Sequence, residues 1–123
     1  MGTASKLYKE QAAAASFTGD PIPLEGAKDY AGSFQAQVGA ITGAWKVEVS
    51  NDPRLYNDPP DIASARWVDI TSLVDFSLAP NPGGVAYDGI IPLEGLGVAW
   101  MRLSYTHVAG AGLLKVWYCG REG

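Results

Sequence analysis

Apolar and polar positions alternate most cleanly in Ala44-Trp45-Lys46-Val47-Glu48-Val49-Ser50, with Trp45, Val47 and Val49 on one side and Lys46, Glu48 and Ser50 on the other. A period of two marks a half-buried strand, so the first set is predicted to face a core and the second water. Residues 98–106 repeat the pattern: Met101, Leu103 and Tyr105 alternate with Trp100, Arg102, Ser104 and Thr106, and the first set is taken as inward. Gly110-Ala111-Gly112 predicts a turn, and the branched and aromatic run at 113–119, closed by Gly120, is expected to return as the second half of a hairpin.

Weaker strands are predicted at 33–38, 66–70, 74–78 and 85–88. About seven short strands at this spacing suggest a two-sheet sandwich or jelly roll. Residues 51–61 hold three prolines, which remove ladder donors, so they are expected to form a long exposed loop, and Pro80-Asn81-Pro82-Gly83-Gly84 a second one. The start of the chain is less decided. Residues 9–15 have the alanines of a helix, but Pro21 and Pro23 break the segment beyond them, and the alternative is an extended arm or edge strand with Ile22 and Leu24 tucked under the sandwich. The expected fold is all-β: a single antiparallel β-sandwich or jelly roll at 31–123, with an extended N-terminal arm and first edge strand at 1–30.

Composition narrows the function. At 123 residues the chain is the size of one domain, and with 47% hydrophobic and 18% charged residues it is composed to fold. The 15 Gly and 8 Pro punctuate short apolar runs, which suits turns better than long helices. A net charge of −4 with scattered Lys and Arg leaves no basic stripe for a phosphate backbone, so nucleic acid is excluded as an expected partner. No run approaches the roughly 20 apolar residues that span a bilayer, and the start lacks the charged and apolar blocks of a signal peptide, so no membrane is expected. The single cysteine, Cys119, excludes an internal disulfide and a multi-cysteine zinc site, and fits folding in a reducing cytoplasm.

Reactive chemistry is sparse. His107, the one histidine, sits beside a turn with no partner visible in sequence, and Cys119 lies in an apolar strand that gives its thiol no cause to ionise. No phosphate loop, nucleophile elbow or paired-histidine motif occurs. Asn51, Asp52, Asp58 and Asp61 could ligate Ca²⁺, but they lack the EF-hand's central Gly and closing Glu, and the reading preferred is a set of turn-shaping side chains. No enzyme activity, metal or cofactor is expected. Trp45 and Trp67 are expected in the core. Trp100 and Trp117, opposite the inward sets, are expected to meet across the hairpin as a subunit interface or ligand platform. Arg102, mid-strand, must find a carboxylate, stack on Trp100 or Trp117, or reach an interface. With Tyr8, Ile22 and Leu24 of the arm, these are the interface candidates.

Read in order, Gly43 through Asp52, then Trp67-Val68-Asp69-Ile70, then Trp100 through Thr106 and Gly110 through Val116 resemble a group of small tailed-bacteriophage virion proteins. Those proteins carry a strand ending in Ser-Asn-Asp, a Trp-x-Asp-Ile element, an Arg-Leu-x-Tyr-Thr strand and a Gly-x-Gly turn. The likeness covers roughly residues 32–121 and consists of strand and turn patterns. It implies a jelly-roll-like capsid decoration (cement) protein, made in the host cytoplasm and residing in the virion. Its implied partners are the major capsid protein and copies of itself as a homotrimer. The proline-rich insertion at 51–61 departs from the simpler members. The alternative is a carbohydrate- or receptor-binding β-sandwich module of a head fibre or tail.

Overall fold

The computed structural model describes residues 3–12, 14–23, 31–94 and 98–121. Its strands are β1 (Thr3–Gln11), β2 (Phe17–Thr18), β3 (Ile22–Pro23), β4 (Ala31–Val38), β5 (Thr42–Ser50), β6 (Val68–Asp69), β7 (Tyr87–Glu94), β8 (Trp100–Ala109) and β9 (Leu114–Arg121). They form two antiparallel sheets, one in the order β1-β9-β4-β7 and the other β2-β8-β5-β6, with β3 also beside β8. The alternation seen in sequence decides which faces meet. Phe34, Ala36 and Val38 of β4, Ile91 and Leu93 of β7 and Leu114 and Val116 of β9 point inward from the first sheet. Trp45, Val47 and Val49 of β5 and Met101, Leu103 and Tyr105 of β8 point inward from the second, and all are buried in one cluster. Burying each such side chain contributes about 1.5–3 kcal/mol, the main force holding the sheets together. Register sharpens the packing: Trp45 lies opposite Tyr105, with ring centroids 5.1 Å apart.

Tyr8 ties the two sheets. The pairing of β1 with β9 slips between Leu7 and Lys9, a bulge of the kind that re-aims a side chain. The Tyr8 ring packs 5.0 Å from Phe34, and its hydroxyl donates to the Asp20 carbonyl at 2.8 Å and accepts from the Leu103 amide of the opposite sheet at 3.1 Å. Gly19 is needed beside it, since a Cβ there would collide with that hydroxyl and with the Leu103 carbonyl. Desolvation raises the Tyr8 phenol well above its ordinary pKa, outweighing the Leu103 hydrogen bond.

Of the two courses left open for the start of the chain, the described residues take the extended one, with Thr3–Gln11 a strand. Three sequence expectations are corrected. The hairpin of 98–106 with 113–119 does not form. β8 lies between β2 and β5, β9 lies between β1 and β4, and Gly110, at φ +93, carries the chain from one sheet to the other. A glycine turn permits either course. The crossing is the one that gives β4 a neighbour and sets Leu114 and Val116 against the second sheet's inner face. Residues 74–78 keep the alternation of a strand, with Val74 and Phe76 against the core, but make turns instead of a ladder: Ser77 donates to Asp75 Oδ1 at 2.9 Å and Ala79 to the Phe76 carbonyl at 3.0 Å. The strand expected at 85–88 begins at Tyr87 and runs on to Glu94 through Pro92, which β7 tolerates because it is an edge strand.

Candidate interaction surfaces

Among the described residues no three His, Cys, Asp or Glu side chains gather to hold a metal ion. His107 Nδ1 lies 3.1 Å from the Tyr105 hydroxyl, and the His107 backbone N–H donates to Ser16 Oγ at 2.8 Å, so its neighbours are structural groups. A shallow hollow of about 270 Å³ between β2 and β8 is walled by Ser16, Phe17, Thr18, Lys46, Ser104, Tyr105 and Thr106, which supply hydroxyls and one ammonium.

The outer face of the second sheet is covered by the chain itself. Arg102 on β8 stands opposite Glu48 on β5 and donates from Nε to Glu48 Oε1 at 3.0 Å, both side chains being less than 15% exposed. Its guanidinium lies over the Trp67 ring, 4.0 Å from the centroid, so the aromatic partner expected at Trp100 or Trp117 is Trp67 instead. Trp67 is thus on the outer face and not in the core. Trp100 takes Tyr56 edge-on at 5.3 Å. The long loop that delivers Tyr56 and Trp67 is held down rather than free. A 3-10 turn at Pro53–Tyr56 buries Leu55. Ser50 Oγ donates to the Arg66 carbonyl at 2.6 Å, and Asn51 Oδ1 accepts from the Ala99 amide at 2.8 Å. Asp52 accepts from Arg54 N and Nη2, each at 2.9 Å, and from Arg66 N at 2.9 Å. The Arg54 side chain, with these amides, holds the Asp52 carboxyl well below the usual carboxylate range. A carboxylate so engaged shapes the loop. The covering has a cost, since the indole N–H groups of Trp67 and Trp100 are buried without a hydrogen-bond partner.

The outer face of the first sheet carries no such cover among the described residues. Leu7, Trp117, Gln35 and Ile90 lie opposite one another across β1, β9, β4 and β7, and Cys119, Ser33 and Pro92 occupy the next outward row. Leu7 is 54% exposed, while Trp117, Ile90, Pro92 and Cys119 are half-buried. Glu10, Lys115, Gln37 and Asp88 make a polar row beyond, where Lys115 reaches Glu10 at 3.5 Å and lies 5.0 Å from the Trp117 centroid.

The interface candidates therefore separate. Trp117 stands on the open face. Arg102 and Trp100 lie under the loop, in the other sheet, so Trp100 and Trp117 form no common platform. Tyr8 is engaged between the sheets, Ile22 pairs with Met101 and packs on the core, and Leu24 lies outside the described residues. Leu7, Ile90 and Pro92 were missed in the sequence because nothing local to them reveals which residues lie opposite Trp117. Comparison with protein-family models, with curated proteins and with solved structures finds no match to this chain.

Proposed function

We propose that the chain is a virion structural protein of a tailed bacteriophage, most simply a capsid decoration protein that binds the assembled shell. The observation that carries this reading is the strand order. With β2 and β3 taken as one interrupted strand, the sequence of sheets visited fits a jelly roll of eight strands in two four-stranded sheets, β1-β9-β4-β7 and β2-β8-β5-β6. Viral capsid domains use that architecture. This is an argument by analogy of fold, joined to the motif series.

In this reading the open face with Leu7, Trp117 and Ile90 lies against the major capsid protein. An apolar row flanked by polar residues is the usual form of such a contact. Residues 1–30 serve as the arm. Their described strands each have one neighbour, β1 on β9 and β2 and β3 on β8, so they lie at the edges of the two sheets. A carbohydrate- or receptor-binding module would place its tryptophans exposed and coplanar, whereas Trp67 and Trp100 are taken up by Arg102 and Tyr56. The test is co-sedimentation of the purified protein with assembled capsids of the phage that encodes it. Stoichiometric binding that raises the capsids' thermal stability is expected; capsids that sediment without the protein would overturn the proposal.

A further inference from the structure

We propose that the hollow on the outer face of the second sheet is a binding site for a small organic carboxylate, held by the Lys46 ammonium and the Ser104 hydroxyl. Strand alternation builds it. Thr18 on β2, Ser104 on β8 and Lys46 on β5 lie opposite one another, one row beyond the Arg102–Glu48 pair and on the same side of the sheet. Thr106 and Ser16 add a hydroxyl each to the wall. Ser104 forms the floor: the residue is 6% exposed, and its Oγ is buried without a hydrogen-bond partner. Buried hydroxyls are nearly always bonded, so this one keeps bonding capacity for a ligand. Thr18, Lys46 and Thr106 around it are exposed. Exposed side chains change rotamer within nanoseconds, so rotating one of them opens the floor with no movement of backbone.

The donors of this row select the ligand. Its hydroxyls can donate, and the formal charge among the lining residues is that of Lys46. The Lys46 ammonium is half in solvent and meets Glu48 Oε2 at 3.8 Å, longer than a hydrogen bond, so its protons are not used up there. A second ammonium, that of Lys9, lies 5.4 Å from the ring centroid of Phe17, another lining residue. The acidic groups nearby are engaged by other donors. Glu48 accepts from Arg102 Nε at 3.0 Å. Asp69, opposite Glu48 and within the field of Lys46, accepts from the Thr71 amide at 2.8 Å and hydroxyl at 2.5 Å. A carboxylate fits this set, with one oxygen for the ammonium, one for the hydroxyl and a single charge. A phosphate dianion would meet the same donors but bring twice the charge toward Glu48 and Asp69, in a chain of net −4. The volume of about 270 Å³ leaves room beside the carboxylate, where Thr18, Thr106 and Ser16 can bond hydroxyls on the body of the ligand.

The inference stands apart from the virion reading and is tested on the free full chain, isotope-labelled, by following its backbone amides in NMR titrations. Sodium glucuronate should move the amides of Thr18, Lys46, Ser104 and Thr106 along saturating curves. The dissociation constant should be on the order of millimolar, because the ammonium sits at the solvent boundary. Ser104→Ala and Lys46→Gln should each weaken binding at least about threefold, each removing one of the two donors to the carboxylate. Neither should lower the melting temperature, since Ser104 Oγ gives up no hydrogen bond and Lys46 is exposed. Sodium acetate separates the sources: equal affinity assigns the site to the carboxylate alone, weaker affinity assigns it to hydroxy acids, and both uphold the inference. Glucose, or sodium chloride at matched ionic strength, that moves the same amides as far would overturn it. So would phosphate that binds more tightly than glucuronate, shifts that never saturate, or binding that survives both substitutions.

Discussion

Replacing Tyr8 with phenylalanine tests the tie between the sheets with little change in shape. The ring would keep its place against Phe34, so no large cavity opens, but two hydrogen bonds vanish: the one given to the Asp20 carbonyl and the one accepted from the Leu103 amide. Leu103 is fully buried, and its amide would be left facing a ring edge. An orphaned buried N–H costs about 1–3 kcal/mol. For a domain of this size each kcal/mol shifts the midpoint by about 3–5 °C, so a fall of roughly 3–15 °C is expected in a calorimetric or circular-dichroism melt. The same residue sets an alkaline limit. Its folded pKa is raised by burial, as are those of Tyr87 and Tyr105, so the stabilisation is complete below the ordinary tyrosine value near 10 and drains away as pH rises through that value toward the folded one. Stability of the native chain should decline above about pH 10, and less steeply in Tyr8→Phe. A melting point within 1 °C of wild type, with an unchanged alkaline limb, would refute the claim that this hydroxyl bridges the sheets.

Arg102→Met should destabilise by about 1–3 kcal/mol in urea titrations, because among the described residues Glu48 is left with Lys46 at 3.8 Å, and Arg102→Met with Glu48→Met should recover most of the loss, since that partly buried carboxylate is then gone as well. Asp52→Ala should free the loop and speed trypsin cleavage after Arg54 and Arg66. The Asp52 carboxyl titrates below its ordinary range, so its hold persists down to about pH 4 and fails only as pH falls further, a loss readable in the exchange rate of the Arg66 amide and absent from Asp52→Asn. Gly110→Ala should cost at least about 1–2 kcal/mol, since φ is +93 and the new Cβ would lie 2.6 Å from the Ala40 carbonyl oxygen; an unchanged urea midpoint would show that the crossing has another geometry.

What was legible in the sequence was sidedness. Trp45, Val47 and Val49, and Met101, Leu103 and Tyr105, were assigned to the core from their period, because alternation along a strand reports directly which side chains leave water. Alternation does not report hydrogen-bond partners. Val74 and Phe76 alternate as a strand would, yet their backbone closes turns through Asp75. The same blindness produced the hairpin that does not exist: Gly110 and Gly112 announce a change of direction, and only the need to cover two sheets decides that β9 leaves β8 for β4. Pro92 concealed half of β7, because proline argues against a strand in general but not against one at a sheet edge.

The candidate surfaces show the same division. Arg102 was picked out correctly as a cation that needs company, since mid-strand charge is costly wherever it lies. Its company was not legible, because Trp67 reaches it through a loop whose course depends on Ser50, Asn51 and Asp52 bonding to distant backbone at Arg66 and Ala99. The turn chemistry of those three residues was visible, but the distance over which they act was not. The consequence for function is physical. By folding residues 51–67 over Arg102, Glu48 and Trp100, the chain closes one sheet's outer face and leaves the other, with Leu7, Trp117 and Ile90, without cover among the described residues. Among the described residues the two outer faces therefore differ, and this asymmetry is what the proposed seat on a capsid shell would use, with Leu7, Trp117 and Ile90 against the shell and the loop side toward solvent.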